Sequence, residues 1–117
     1  MRAHQDLLAW QESMALVREI YRLTARFPRE ELLVLTSQMR RAAVSVPSNI
    51  AEGAARSSRK EFARFLAVAR GSLSELDTQI IIARELGYLD SSEALRDRVD
   101  GIFRLLAGLI ASLSAHP

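Results

Sequence analysis

Apolar residues recur at steps of three and four along four stretches of this sequence, the spacing that places them on one face of an α-helix. The stretches are separated by Phe27-Pro28, by a polar segment near 56–58 and by Gly87. The residue before a proline is displaced from the helical region, and glycine suits the left-handed position that follows a helix end. The pattern therefore predicts an all-α protein with helices at about 6–26, 36–55, 58–86 and 91–114.

Short connections between these segments predict that neighbouring helices run antiparallel, as an up-down-up-down four-helix bundle. At 117 residues, 49% of them apolar, the chain is long enough to bury one core, and a single domain over 1–117 is expected. The predicted core seams, in chain order, are Leu7, Trp10, Met14, Val17, Tyr21 and Thr24; Leu35, Met39, Ala42 or Ala43, Val46, Ile50 and Gly53; Phe62, Leu66, Ala69, Leu73, Leu76, Ile80 and Ala83; and Leu95, Val99, Ile102, Leu106, Leu109 and Leu113.

Local signals locate the helix starts. Ser58 and Glu61 have the spacing of a capping box, in which the serine hydroxyl and the glutamate side chain each bond the other's backbone amide. Thr36 is the predicted N-cap of helix two, and Asp90 with Glu93 is predicted to open helix four.

Pro47 lies inside the pattern of helix two. There its missing amide and the crowding of the Ala43 carbonyl cost about 3 kcal/mol or more. Ser45, Ser48 and Asn49 can bond the freed backbone groups. We therefore expect one helix that is kinked at Pro47 rather than two separate helices.

Composition argues against several classes of protein. The sequence has no cysteine, which excludes disulfides, thiolate metal sites and a thiol nucleophile. No apolar run approaches the roughly 20 residues that span a bilayer, and the polar start from Met1 to Asp6 lacks the features of a secretory signal. A cytoplasmic protein without membrane contact is expected.

The residues that usually carry catalysis are few and scattered. His4 and His116 are the only histidines, and they lie near the ends of the sequence, where a positioned base or metal ligand is not expected. There is no Glu-x-x-His pair for a di-iron bundle site and no glycine-rich phosphate loop. We predict that the protein is not an enzyme and uses no cofactor or metal.

Basic residues form two clusters, although the formal net charge is only +2. The cluster around the start of helix three carries four positive charges against Glu61 over positions 56–64. Arginine and helix N-termini both favour phosphates, so the clusters are candidate RNA or DNA contacts, the alternative being the surface charge that is common at helix starts. Almost all the basic residues are arginine, which suits phosphate recognition, but biased codon usage would give the same excess. The candidates are Arg18, Arg22 and Arg26 on helix one, and Arg56, Arg59, Lys60 and Arg64 around the start of helix three.

Helix three also carries a second, partly apolar line on another side, which we call the helix-three line. Ile80, Ile81 and Ile82 point in three directions around the axis, so at least one of them would face solvent in an isolated bundle. We predict a subunit interface here, the alternative being an apolar monomer surface without a partner. The helix-three line consists of Val68, Ser72, Glu75, Gln79, Ile82 and Leu86.

Opposite its core seam, helix two carries a polar line of Arg41, Ser45, Ser48, Glu52 and Arg56. One interpretation is a solvated face whose arginine and glutamate are too far apart to pair. The other is a face that meets another subunit or a ligand.

The stretch from Leu35 to Phe65 resembles the family known as four-helix bundle protein or 23S rRNA intervening-sequence protein. The family's pattern Ser-x-Pro-x-Asn-Ile-Ala-Glu-Gly corresponds here to Ser45, Pro47, Asn49, Ile50, Ala51, Glu52 and Gly53. Further matches are Gln38, Arg40, Arg41 and Ala42; Arg56, Ser58, Glu61 and Phe62; and Ala69, Ser72, Glu75, Gln79 and Gly87-Tyr88-Leu89. The resemblance covers roughly Leu7 to Leu89, and helix four agrees only in its pattern.

This resemblance implies a bundle that assembles into a ring-like homopentamer. Family members are encoded in intervening sequences of bacterial large-subunit rRNA genes or elsewhere on the chromosome. A distantly similar protein, the accessory variability determinant of diversity-generating retroelements, is a basic pentamer that binds nucleic acid and a reverse transcriptase. The implied partners are therefore further copies of the chain, RNA or DNA, and a protein such as a reverse transcriptase.

The family has no established catalytic or binding residues to carry over. We interpret Arg40, Arg41, Asn49 and Glu52, which match its motif, as structural residues that fix the kink and tie helices or subunits together. The competing interpretation makes Arg40 and Arg41 phosphate contacts. The leading hypothesis is a non-enzymatic homo-oligomer that binds RNA or DNA through repeated basic patches, and the alternative is a protein-interaction scaffold that binds no nucleic acid.

Overall fold

The computed structural model describes residues 2–91 and 93–114. It contains four α-helices: α1 (Leu8–Thr24), α2 (Leu35–Ala54), α3 (Arg59–Glu85) and α4 (Glu93–Ser114), with short 3₁₀ turns at Ala3–Asp6 and Arg29–Glu31. Each helix packs against the next in the chain, and α4 packs back against α1. The prediction of an all-α protein built from four mutually packed helices is confirmed, and the described residues contain no strand. No described helix is long and apolar enough to cross a membrane.

The core lies between the four helices, and the predicted seams of α2, α3 and α4 face it. Every predicted seam residue of α2 is buried, as are those of α3 apart from the half-buried Phe62. In α4 the seam is buried as far as Leu106, whereas Leu109 and Leu113 are half-buried towards the end of the helix. Side chains such as Leu66, fully buried, each contribute about 1.5–3 kcal/mol to the hydrophobic stabilisation of the fold.

The predicted seam of α1 is wrong by one position. Its buried residues are Ala9, Ser13, Leu16, Ile20 and Thr24, so only Thr24 was assigned correctly. The larger side chains of the predicted seam lie at the edge of the core or outside it, and Tyr21 is 44% exposed. The hydroxyls of Ser13 and Thr24 can be buried because they donate to the carbonyls one turn back, Ala9 O at 2.6 Å and Ile20 O at 2.7 Å.

The helix starts differ from the predictions in three places. The Ser58 hydroxyl accepts a hydrogen bond from the Glu61 backbone amide at 3.0 Å, as predicted. The Glu61 carboxylate accepts a hydrogen bond from Arg64 and not from the Ser58 amide, so only half of the predicted capping box is formed. Thr36 is not an N-cap, because α2 already begins at Leu35 and Thr36 is buried in its first turn. Helix α4 begins at Glu93 rather than near 91. Boundaries of this kind shift easily, since the first and last turns of helices are the least regular.

The end of α3 has the predicted glycine geometry. Gly87 has a φ of +80°, the left-handed region that a Cβ disfavours. The Tyr88 amide donates to Ala83 O at 2.9 Å and the Gly87 amide to Arg84 O at 3.0 Å, which together form a Schellman motif. The chain is thereby turned sharply out of α3, which brings Tyr88 towards the connection between α1 and α2.

Tyr88, in the connection between α3 and α4, contacts the connection between α1 and α2. Its hydroxyl donates to a carboxylate oxygen of Glu31 at 2.9 Å, and its ring lies 5.4 Å from that of Phe27. An up-down-up-down bundle would bring these two connections together at one end, so the contact supports that topology, which stays a prediction.

The Tyr88 contact has a pH signature. The hydrogen bond to Glu31, with smaller contributions from burial and from the charges of Glu31 and Glu30, raises the pKa of Tyr88 above its ordinary value of 10.0. The stabilisation from this bond is therefore fully present below pH 10.0 and is lost as the pH rises through the higher pKa of the folded state. We expect the tyrosinate absorbance that Tyr88→Phe removes to have a midpoint above pH 10.0 in the folded protein. A midpoint unchanged by Glu31→Gln would contradict the assignment to that carboxylate.

Helix α2 is continuous across Pro47, in agreement with the prediction of one helix. Pro47 itself is buried. The Ser48 hydroxyl donates to Val44 O at 2.8 Å and the Asn49 amide to Ser45 O at 2.8 Å, next to the Ala43 carbonyl that the proline leaves without a donor. The kink at Pro47 stays a prediction.

Candidate nucleic-acid and subunit interfaces

The start of α3 presents two cations without partners. Arg59 and Lys60 are the first two residues of the helix and are both exposed. Neither forms an ion pair with any described residue. The first amides of a helix have no carbonyl partner within it and carry partial positive charge, so this position adds to the attraction for an anion.

Arg56 and Arg64 frame these two residues but are partly neutralised. Their guanidinium carbons lie 4.9 Å and 4.6 Å from the centre of the Phe65 ring. Arg56 pairs with Glu52 at 3.1 Å and Arg64 with Glu61 at 3.0 Å. The interpretation that the arginine and glutamate of the α2 polar line are too far apart to pair is therefore wrong for Glu52 and Arg56, which are one helical turn apart.

The arginines of α1 form a separate exposed row. Arg18, Arg22 and Arg26 are all exposed, and Arg22 lies 3.8 Å from Glu19, which is also 3.8 Å from Arg98 of α4. This row lies along α1, before the start of α2, whereas the cluster at the start of α3 lies beyond the other end of α2. Since 20 residues of helix extend about 30 Å, the structure does not bring the two clusters together.

Arg40 and Arg41 have different environments although they are adjacent. Arg40 is half-buried, donates to Thr24 Oγ1 at 2.9 Å and to Tyr21 O at 3.4 Å, and lies 4.5 Å from the centre of the Tyr21 ring. It therefore ties α2 to α1. Arg41 is exposed and without an ion pair among the described residues, so of the two it is the one free to contact a phosphate or another subunit.

Two of the matched motif residues of α2, Ser45 and Gly53, contact α3. The Ser45 hydroxyl lies 2.8 Å from that of Ser72, and Asn49 bonds both the carbonyl and the hydroxyl of Ser45. A Cβ added at Gly53 would lie only 2.7 Å from the Cβ of Phe65, so a glycine is required where the two helices meet. The sequence places Gly53 in a buried seam but gives no signal that α3 approaches it so closely.

The helix-three line is mixed in its exposure. Val68, Ile82 and Leu86 are exposed large apolar residues, and Ile81 is exposed too, which confirms that at least one of the three isoleucines faces solvent. Gln79, in contrast, is only 6% exposed. Its amide nitrogen donates to Glu75 at 3.2 Å, whereas its side-chain oxygen has no hydrogen-bond partner among the residues that the structure describes.

A second apolar surface, which the sequence reading did not assign, lies at the connection between α1 and α2. Leu33 is 88% exposed there, and four further exposed apolar residues surround it. Together with Arg40 and Arg41 most of them line a groove of about 560 Å³. We call this the connection surface, defined by Tyr21, Leu32, Leu33, Val34 and Val44. The uninterrupted run Leu32 to Leu35 in a connection was the signal that could have revealed it.

Within residues 2–91 and 93–114, no three histidine or carboxylate side chains converge as metal ligands. His4 stacks edge-on against Trp10 at 5.1 Å, and His116 lies outside the described residues.

The comparison with known families covers nearly the whole fold. The family model of 23S rRNA-intervening sequence protein matches residues 5–108, which extends beyond the motif-bearing part into most of α4. No individual curated protein is significantly similar to the chain. The similarity to the retroelement determinant stays a prediction. Because the match spans well over half of a four-helix protein, the chain belongs to the 23S rRNA-intervening sequence protein family.

Proposed function

We propose that this protein is a non-enzymatic, cytoplasmic homo-oligomer, a pentamer by family resemblance, that binds RNA or DNA. The observation that carries the proposal is that Arg59 and Lys60, at the exposed start of α3, form no ion pair with any described residue. Two free cations beside unpaired helix amides favour a phosphate group.

The neighbouring arginines make this cluster more suitable for phosphates than its net charge suggests. Glu52 and Glu61 hold Arg56 and Arg64 against the Phe65 ring, which limits the conformational freedom that those side chains would lose on binding. Their remaining N–H groups stay available because arginine carries five donors. The cluster therefore contains two free cations and two oriented ones.

Assembly into an oligomer repeats the α3 cluster and so strengthens binding of a nucleic acid that each cluster alone would bind weakly. A formal charge of +2 on each chain becomes +10 in a pentamer, since five copies contribute equally. Several clusters on one assembly can engage one nucleic acid at once, which raises its effective concentration at the remaining clusters. Because phosphate contacts carry no sequence information, we expect little sequence preference and a strong dependence on salt.

Charge reversal at the start of α3 tests the proposal. Arg59→Glu with Lys60→Glu is expected to weaken binding of a mixed-sequence single-stranded RNA about tenfold or more. It should also reduce the slope of log K against log salt by about 0.7 for each phosphate that the protein no longer neutralises. Fluorescence anisotropy at several salt concentrations measures both quantities.

The matched control is Arg96→Glu with Arg104→Glu on α4, which makes the same change in charge at two exposed arginines without ion pairs to described residues. We expect the control pair to weaken binding much less. Equal weakening by both pairs would mean that only the overall charge matters, and unchanged binding by the α3 pair would remove this cluster from the proposed interface.

The second candidate function is a protein-interaction scaffold. The observation that favours it is the large exposed apolar area of the connection surface and the helix-three line, because surfaces of this kind commonly mark protein contacts. A scaffold predicts an oligomer whose mass and stability do not respond to RNA at low salt. Its protein partner, such as a reverse transcriptase, would then bind to the assembled oligomer.

A further inference from the structure

We propose that a polar cleft between α2 and α3 binds a small zwitterion of the amino-acid type, a molecule that carries both a carboxylate and an ammonium group. Arg41 donates to the carboxylate, and Glu75 accepts from the ammonium. The inference is independent of nucleic-acid binding, since the cleft contains neither Arg59 nor Lys60. We call it the α2–α3 cleft, which has a volume of about 400 Å³ and is lined by Gln38, Arg41, Ala42, Ser45, Ser72 and Glu75.

The α2–α3 cleft has the size and the order of a ligand site. Its volume lies within the range of about 300–1,000 Å³ that small-molecule sites occupy. The Ser45 hydroxyl lies 2.8 Å from the Ser72 hydroxyl, and the Asn49 amide donates to Ser45 Oγ at 3.0 Å, so the two serines are held in place. Because all the lining side chains except Ala42 are polar, the cleft suits a charged ligand rather than an apolar one.

The cleft holds one cation and one anion that the chain itself does not neutralise. Arg41 and Glu75 line the same space, yet neither forms an ion pair with the other or with any further described residue. A simple anion would be attracted by Arg41 and repelled by Glu75, and a simple cation the reverse. A ligand with one charge of each sign satisfies both side chains.

Gln79 holds Glu75 and leaves hydrogen-bonding capacity unused beside it. One Glu75 carboxylate oxygen accepts from the Gln79 amide at 3.2 Å, and the other forms no hydrogen bond with a described residue. Gln79 is only 6% exposed, and its side-chain oxygen has no partner among the described residues, which is costly for a buried polar atom. An ammonium group has three donors, so a ligand bound at Glu75 brings donors next to Gln79.

Core packing does not account for the charged lining. All six lining residues are among those by which the sequence resembles the family pattern. Packing between α2 and α3 explains a small residue such as Ala42, which is buried. Gln38, Arg41 and Glu75 are exposed and bond no residue of another helix among those described. Their convergence on one cleft is explained by a ligand that they contact.

Three related probes test the proposal by isothermal titration calorimetry. Free glutamine carries both charges, and its side-chain amide can also pair with that of Gln38; N-acetylglutamine lacks the ammonium, and glutaminamide lacks the carboxylate. We expect the wild-type protein to bind glutamine saturably below about 10 mM and to bind each derivative about tenfold more weakly or worse.

Two variants assign each charge of the ligand to one side chain. Arg41→Gln is expected to weaken glutamine binding about tenfold and to remove the difference between glutamine and glutaminamide. Glu75→Gln should do the same for the difference between glutamine and N-acetylglutamine. Both side chains are exposed, so these substitutions are not expected to affect folding. The matched controls, Arg70→Gln and Glu85→Gln, change exposed residues of α3 outside the cleft and should leave binding unchanged.

Four outcomes would overturn the proposal. The first is the absence of saturable binding of both glutamine and glycine to the wild-type protein below about 10 mM. The second is equal binding of glutamine and N-acetylglutamine, which would make the cleft an anion site. The third is glutamine binding that neither Arg41→Gln nor Glu75→Gln changes, which would place the ligand elsewhere. The fourth is weaker RNA binding by Arg41→Gln without any amino-acid binding, which would assign the cleft to the nucleic-acid interface.

Discussion

Replacing Gly53 with alanine is expected to lower the free energy of unfolding by about 1–2 kcal/mol, even though alanine is the better helix former. The added Cβ would lie 2.7 Å from Phe65 Cβ, 3.0 Å from Phe62 Cδ1 and 3.3 Å from the Phe62 carbonyl oxygen. The ring atom can rotate away, but the other two are fixed to the backbone of α3. The helices must therefore move apart, and the cost of about 1–3 kcal/mol for such overpacking exceeds the gain of up to about 1 kcal/mol in helix propensity.

Gly108→Ala provides the matched control because Gly108 lies inside α4 with nothing within 4 Å of an added Cβ. This variant should be more stable than the wild type by up to about 1 kcal/mol. Urea unfolding at one fixed protein concentration compares the two, since the stability of an oligomer depends on concentration. If both substitutions stabilised the protein, the close approach of α2 and α3 at Gly53 would be ruled out.

The helical fold could be predicted from periodicity, but the orientation of α1 could not. In α2, α3 and α4 the large apolar residues that recur at steps of three and four are mostly buried, so their spacing identifies the core face. In α1 the buried face includes Ala9 and Ser13, small side chains that let the helix approach its neighbours, while Trp10 and Val17 cover the edge. Hydropathy favours burial of Trp10 over burial of Ser13. The packing of the other helices buries Ser13 and leaves Trp10 at the edge of the core.

The position of the basic cluster at the start of α3 could be predicted from the sequence, but the contacts of its side chains could not, because they depend on how the helices pack. The sequence identifies the basic residues around the start of α3, but it does not show that Arg56 and Arg64 meet on the ring of Phe65. That arrangement leaves Arg59 and Lys60 as the free cations of the cluster. The buried position of Gln79 was missed for a similar reason, since its place in the helix-three line indicated a surface residue.

The connection between α1 and α2 and the α3 cluster lie at opposite ends of α2, so each can be changed without altering the other. The connection surface includes the residues before α2, and Arg59 and Lys60 follow its end. Charge reversal at Arg59 and Lys60 therefore leaves the connection surface unchanged.

Arg40 and Arg41 separate the structural and the phosphate-binding interpretations of the family motif. Arg40→Ala is expected to lower the free energy of unfolding by about 2–4 kcal/mol. The substitution removes hydrogen bonds from a charged group to α1, worth about 1.5–3 kcal/mol, and a cation–π contact with Tyr21 worth about 0.5–1 kcal/mol. Arg40→Lys should recover only part of the loss, because an ammonium group cannot reproduce the planar contact with the ring.

Arg41→Ala is the matched control, with an expected change in unfolding free energy within about 0.5 kcal/mol, since Arg41 is exposed and forms no ion pair with a described residue. Thermal and urea unfolding of both variants, at a concentration where wild type and variants have the same mass, measure the difference. Loss of stability in Arg40→Ala alone would establish it as a structural residue of the bundle. Equal stability of the two variants, with weaker RNA binding in both, would instead make the pair a phosphate site and refute the structural interpretation of Arg40.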